Sequence, residues 1–236
     1  MSLQSNLQRR EVFIGKLLKE FDTHWDKLAV PMQKQLNALF MSDKDITVNA
    51  INKIFQNNGY SDVVKGVSSQ FPKMMTFSRD MADEIGYKFL LTSENIKNFD
   101  TINNLNIETM LGNSSHTAVD LKRFAMQARL EGQSLANMRA GLIERFETMG
   151  RRLNTEIYTG VRMYESAIDL AAMKNAGIEL YEYVGPLDGK TRGACLDTLH
   201  SNRQATGWTM AQIEESLTPF IQRGGWNCRH RWMAFV

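Results

Sequence analysis

Proline sets the first limit on what this chain can fold into: there are four, at positions 31, 72, 186 and 219. A proline removes a backbone donor and clashes with the preceding helical turn. The long proline-free stretches are therefore where helices can run. Residues 1–30 place Leu7, Val12, Phe13, Leu17, Leu18, Phe21, Trp25 and Leu28 at spacings that approximate one helical stripe, which Pro31 ends or kinks. Ile46, Val48, Ile51 and Ile54 predict a shorter helix over 43–58, with Asn57-Asn58-Gly59 as its stop. Met74, Met75, Phe77, Met81, Ile85 and Phe89 suggest another after Pro72. Residues 92–116 are rich in Asn, Thr and Ser and read as a loop or short, weak helices.

From Thr117 the pattern sharpens. Thr117-Ala118-Val119-Asp120 resembles a capping box and predicts a helix to about Glu131-Gly132. A second helix is expected after Ser134, carrying Met138, Leu142, Phe146 and Met149. A third is expected from about Arg151, carrying Ile157, Val161, Tyr164, Ile168 and Ala172, and closed at Asn175-Ala176-Gly177. The period then changes: Ile178–Val184 reads as a strand, and Trp226–Val236 as a terminal strand or extended arm. Thr209-Met210-Ala211-Gln212 starts one more short helix. The fold class expected is a mainly α N-terminal part followed by a small α+β C-terminal domain, with regions 1–115 and 116–236.

Bulk properties narrow the function. The net charge of +2 lacks the dense basic stripe of a dedicated nucleic-acid binder. Two cysteines are too few for a disulfide-built scaffold. No run of ~20 apolar residues predicts a membrane span, and the first residues do not resemble a signal peptide. The protein is expected to fold in a cytoplasm.

The chemistry-bearing residues gather near the end: Asp188-Gly-Lys-Thr191-Arg192-Gly-Ala-Cys195, then His200, then Gly224-Gly225-Trp226-Asn227-Cys228-Arg229-His230-Arg231-Trp232. Cys195, His200, Cys228 and His230 have the donor types of a tetrahedral zinc site, although neither spacing is the usual C-x2-C. The alternatives are two small buried thiols or a reversible disulfide. Gly185-Pro-Leu-Asp-Gly189-Lys190-Thr191 is one residue short of a phosphate-binding loop, and Pro186 would remove one of its amides, so a turn is expected instead. His200, Asn202 and His230 could serve a metal-dependent nuclease, but no acidic cluster accompanies them. Glu156 is the candidate for an ADP-ribosyltransferase, yet the chain has no E-x-E pair.

These elements, in this order, resemble the head-morphogenesis or minor capsid proteins of tailed phages similar to the phage Mu F protein. The resemblance rests on Gly132-Gln-Ser134, on Asn154-Thr155-Glu156 at a helix start, on Asp188-x-x-Thr191-Arg192-x-x-Cys195, and on Asn227-Cys228-Arg229 within the final segment. It covers about half of the chain. The family often has Arg where this chain has Asn154, and a second cysteine where it has His230. The resemblance implies a non-enzymatic, few-copy virion protein at the portal or inner capsid wall, made in the host cytoplasm. Its partners would be the portal protein, the major capsid protein, other virion proteins and, without sequence preference, packaged DNA. It would assist head assembly, DNA packaging or delivery, with no cofactor beyond a candidate zinc. Asp188, Thr191, Arg192, Asn227, Arg229 and Trp232 would form a structural motif. An Asp188–Arg192 pair would hold the turn, the cysteines would pack beneath Trp226 and Trp232, and Arg229 and Arg231 would face outward together. The 14 methionines fit an adaptable interaction surface.

Overall fold

Helices take up most of the chain, and a two-stranded sheet lies near its C-terminal end, so the fold is mainly α with a small α+β part. The computed structural model describes residues 3–42 and 45–235. Helix α1 spans Leu3–Met41, α2 Val48–Asn57, α3 Tyr60–Ser68, α4 Met74–Ile85, α5 Ser93–Leu130 and α6 Leu135–Asn175. Strand β1 (Tyr181–Val184), helices α7 (Gly193–Leu199) and α8 (Met210–Glu214), and strand β2 (Arg231–Ala234) follow. Among the described residues no helix is long and apolar enough to cross a membrane.

Three helices are longer than their local sequence suggests. Pro31 sits inside α1 and does not end it. The proline costs about 3 kcal/mol, whereas Met32, Leu36 and Phe40 beyond it are all buried and contribute roughly 1.5–3 kcal/mol each. The Asn- and Thr-rich stretch 92–116 is not a loop but the first half of α5, and Thr117 lies within that helix, not at its start. The start is at Thr92, whose hydroxyl accepts from the Asn95 amide (3.1 Å) while Asn95 Oδ1 accepts from the Thr92 amide (2.9 Å). Thr101 and Thr109 return their hydroxyls to the carbonyls of Lys97 and Leu105, and Phe99 and Met110 are buried. No break occurs near Arg151: α6 is one helix. Its Gly150 serves packing, because a Cβ there would lie 2.7 Å from Nε1 of Trp25. The expected stops at Gly132 and Gly177 do occur, both with positive φ. Residues 43 and 44, where the second helix was expected to begin, lie outside the described residues; α2 begins after Thr47, whose hydroxyl accepts from the Ala50 amide.

By contact the chain divides into two units that interleave along the sequence. The first comprises Met1–Ile14, Phe71–Asn104 and Tyr158–Val236; the second comprises Gly15–Gln70 and Leu105–Ile157. Both draw residues from each side of position 115. In the second unit Phe21, Trp25, Phe55, Tyr60 and Phe146 form an aromatic core, with Trp25 and Phe146 rings 6.1 Å apart. In the first unit the two strands run antiparallel, pairing Tyr181 with Ala234 and Tyr183 with Trp232. Tyr181 also exchanges backbone bonds with Trp208 (2.9 and 2.8 Å). Tyr181, Tyr183, Trp208, Phe220 and Trp232 pack together with both cysteines. This aromatic floor positions the candidate site.

Candidate functional site

Two stretches far apart in sequence meet in the first unit. The turn after β1 presents Asp188 through Cys195, and the segment before β2 presents Gly224 through His230. The turn is built from its own polar groups. The Asp188 amide donates to Thr191 Oγ1 (3.0 Å), that hydroxyl donates to the Pro186 carbonyl (2.9 Å), and the Lys190 amide donates to Asp188 Oδ1 (2.9 Å). These residues form a turn, as Gly-Pro and Asp-Gly predict, and not a phosphate cradle.

The pairing across the two stretches differs from that expected. Asp188 pairs with Arg229, not Arg192, in a two-bond fork at 2.8 and 2.6 Å. Arg192 instead donates to the carbonyls of Gly224 (2.6 Å) and Trp226. The fork with Arg229, together with the Lys190 amide, holds the Asp188 carboxyl well below the usual carboxylate range. A folded-state value below the unfolded one gives a contribution that is present above the ordinary range and lost as pH falls through it. Acid titration of the unfolding midpoint should therefore fall more steeply for the wild type than for Asp188→Asn below about pH 4. Identical acid limbs would show that the fork does not form in solution.

Arg229 and Arg231 do not share an outward face. Both faces of β2 are covered, and Arg231 is buried with its guanidinium on Asp169. It belongs to a charged network that sequence reasoning missed. Glu165, fully buried on α6, faces the guanidiniums of Arg10, Arg162 (3.2 Å), Arg223 (3.1 Å) and Arg231 (3.7 Å). Burial pushes the Asp169 carboxyl up to about 7 and Arg231 down to about 9. The signal was present in the sequence: Arg162, Glu165 and Asp169 recur at spacings of three and four, a polar stripe in the stretch 161–172, whose other residues are mostly apolar.

Arg223 carries this network to the cysteines. It donates to Ser166 Oγ (2.5 Å), Glu165 and the His230 carbonyl (3.2 Å). Arg223 and Asn227 both have positive φ, +52° and +55°, a conformation that disfavours side chains other than glycine. They flank a tight loop that folds back on Cys228, where the Gly224 amide donates to Cys228 Sγ (3.3 Å). The Asn227 amide is held by Thr159 Oγ1.

Cys195, Cys228 and His230 converge at the centre of this arrangement. The two sulfurs are 3.8 Å apart, and His230 Nδ1 is 3.9 Å from Cys228 Sγ. The three donor atoms all lie within 4.8 Å of one another, so among the described residues this is a group that could hold a metal ion. The Tyr183 hydroxyl is 3.5 Å from one sulfur and 3.6 Å from the other. His200 is not part of the group: it is exposed at the end of α7. The expected four-residue set is thus corrected to three, because α7 points Cys195 inward from its first turn while His200, just past its end, meets solvent. Trp226 is also exposed, so the thiols pack beneath Trp232 and Tyr183 instead.

The thiols differ electrostatically. Burial pushes Cys195 up, and the neighbouring Cys228 adds to this. For Cys228, burial acts in the same direction, but hydrogen bonds from Tyr183, the His230 backbone and the Gly224 amide, together with the Arg223 charge, bring it below the usual thiol value. Burial lowers His230, which keeps its ring neutral. A cavity of about 370 Å³ reaches the cluster, lined by both cysteines, His230, Tyr158, Lys190, Arg192, Asn227 and Arg229.

The other candidate sites are not assembled. His200 and Asn202 are exposed and do not line this cavity. Glu156 lies in the second unit, where burial raises its carboxyl and Asn113 donates to it. Compared with known proteins, the chain matches no family model, no curated protein and no solved structure.

Proposed function

We propose that the chain is a structural protein of a tailed-phage particle, a minor head protein bound at the portal or inner capsid wall. One observation carries this reading. The two pieces of sequence that resemble the phage Mu F-like family, Asp188–Cys195 and Gly224–Trp232, fold against each other, and Asp188 and Arg192 are spent on partners across that contact. Asp188 grips Arg229, Arg192 grips two backbone carbonyls, and Trp232 Nε1 donates to the Thr218 carbonyl. A motif used up internally fits a part that holds a shape, since catalysis requires groups left available to a substrate. Exposed Leu187, Leu217 and Trp226 offer apolar contact area to a portal or capsid partner. Lys190 offers packaged DNA a phosphate contact without sequence preference. The cofactor compatible with this role is zinc at Cys195, Cys228 and His230.

Mass spectrometry of purified particles tests the proposal. The chain should be present in a few copies per particle and remain with the portal vertex on gentle disassembly. Its absence from mature and immature particles alike would overturn the reading.

A further inference from the structure

The geometry points to one zinc ion held by the Sγ atoms of Cys195 and Cys228 and by Nδ1 of His230, with the fourth corner of its tetrahedron open to the cavity rimmed by Lys190, Arg192 and Arg229. The inference stands on the site itself and does not depend on the chain's place in a particle.

The spacing is the first argument. Around a tetrahedral zinc with Zn–S near 2.3 Å and Zn–N near 2.05 Å, two sulfurs lie about 3.8 Å apart and a sulfur and a nitrogen about 3.6 Å apart. The sulfurs here are 3.8 Å apart, Cys228 Sγ is 3.9 Å from Nδ1, and all three donors lie within 4.8 Å of one another, so Cys195 and His230 need only close in slightly on an ion. A disulfide would need the sulfurs at about 2.05 Å, and it would leave the position of Nδ1 without a purpose.

The orientation of His230 is the second. Its Nε2 lies 2.9 Å from the Pro186 carbonyl, which can only accept. The proton therefore sits on Nε2, and the Nδ1 lone pair faces the sulfurs. A backbone carbonyl fixing the tautomer from behind is the arrangement by which proteins orient a metal-binding histidine.

The third argument is how closely glycine backbone packs against the three donors. A Cβ on Gly224 would lie 2.3 Å from Cys195 Sγ and 3.2 Å from Cys228 Sγ. A Cβ on Gly185 would lie 2.3 Å from the His230 ring. Glycine is thus needed on both sides of the cluster, and two residues with left-handed backbone hold the loop that brings Cys228 in. Strain concentrated in this way marks a position fixed for use. The Tyr183 hydroxyl and the Gly224 amide supply donors to the sulfurs. Two thiolates neutralise Zn²⁺, so the loaded site is uncharged and compatible with its burial. Cys and His donors select zinc over magnesium or calcium, which prefer oxygen. Three protein ligands leave one corner, and all three line the cavity. Water or a small anion fills that corner.

The test uses the full chain, purified without chelator. Elemental analysis should find about one zinc per chain, and Co²⁺ in its place should give the visible bands of a tetrahedral ion with a thiolate-to-cobalt charge-transfer band. Cys195→Ser should weaken that band, and the double variant with Cys228→Ser should lose it. Adding thiocyanate to the cobalt form should shift the visible bands. Circular dichroism separates a folded, metal-free variant from an unfolded one, and the wild-type measurements need no variant. Failure of zinc-incubated wild type to bind metal, a thiol pair already oxidised in the freshly purified chain, or full binding by the double serine variant would overturn the site. A cobalt spectrum indifferent to thiocyanate would overturn the open corner. Any of these results would leave the particle test above unaffected.

Discussion

Replacing Glu165 with alanine should destabilise the first unit by about 3–5 kcal/mol, enough to unfold many domains of this size. The expectation follows from charge left behind, not from attraction lost. Glu165 is fully buried and faces Arg10, Arg162, Arg223 and Arg231, each at most 6% exposed at the side chain. Asp169 is the other buried carboxylate on this stretch of α6, and it holds Arg231. Removing Glu165 leaves several guanidiniums out of water, with only Asp169 and the half-exposed Glu11 as counter-charges. Denaturant unfolding at neutral pH measures the cost. A paired replacement separates the mechanism: Glu165→Leu with Arg10→Met should recover only the part of the loss that belongs to Arg10, because Arg162, Arg223 and Arg231 still lack the carboxylate. A single-mutant loss below about 1 kcal/mol would mean that water reaches the network.

Trp232→Ala is expected to cost about 3–5 kcal/mol. The indole is 1% exposed, with ring centroids 4.7 Å from Tyr183 and 5.5 Å from Trp208. Truncation opens a cavity in the cluster that holds the cysteines and leaves the Thr218 carbonyl without its donor at 2.8 Å. Trp232→Phe keeps most of the packing and loses the hydrogen bond, so it should cost about 1–3 kcal/mol. Equilibrium unfolding with near-ultraviolet circular dichroism reads both. If the phenylalanine variant were as damaged as the alanine one, the hydrogen bond and not the packing would be the larger contribution.

The helical bulk of the fold was legible because scarce proline and three-four spacing are local signals. What local signals could not show is where tertiary burial overrides them. Asn and Thr between 92 and 116 have poor helix propensity, but Phe99 and Met110 anchor that stretch and the Thr92–Asn95 box starts it. Pro31 reads as an end or a kink because the burial beyond it has no local signature. At the site, the clustering of cysteine, histidine and tryptophan was visible, and three of the four candidate metal donors do meet. His200 failed because spacing says nothing about which end of a short helix turns inward. Tyr183 was hidden in a strand that read as ordinary core, and Arg231 was assigned to the surface because a two-residue period cannot show that both faces of a strand are covered.

The interleaving of the two units has a consequence for the order in which the molecule forms. Every residue of the second unit has been synthesised by the time Ile157 emerges, so that unit can fold while translation continues. The first unit cannot. Its sheet needs residues 231–234, and Arg10 must wait for Glu165, far along the chain. Until then the opening turns of α1 carry an unpaired charge and an exposed apolar face, a window in which a chaperone or an assembly partner has access that the finished protein no longer gives.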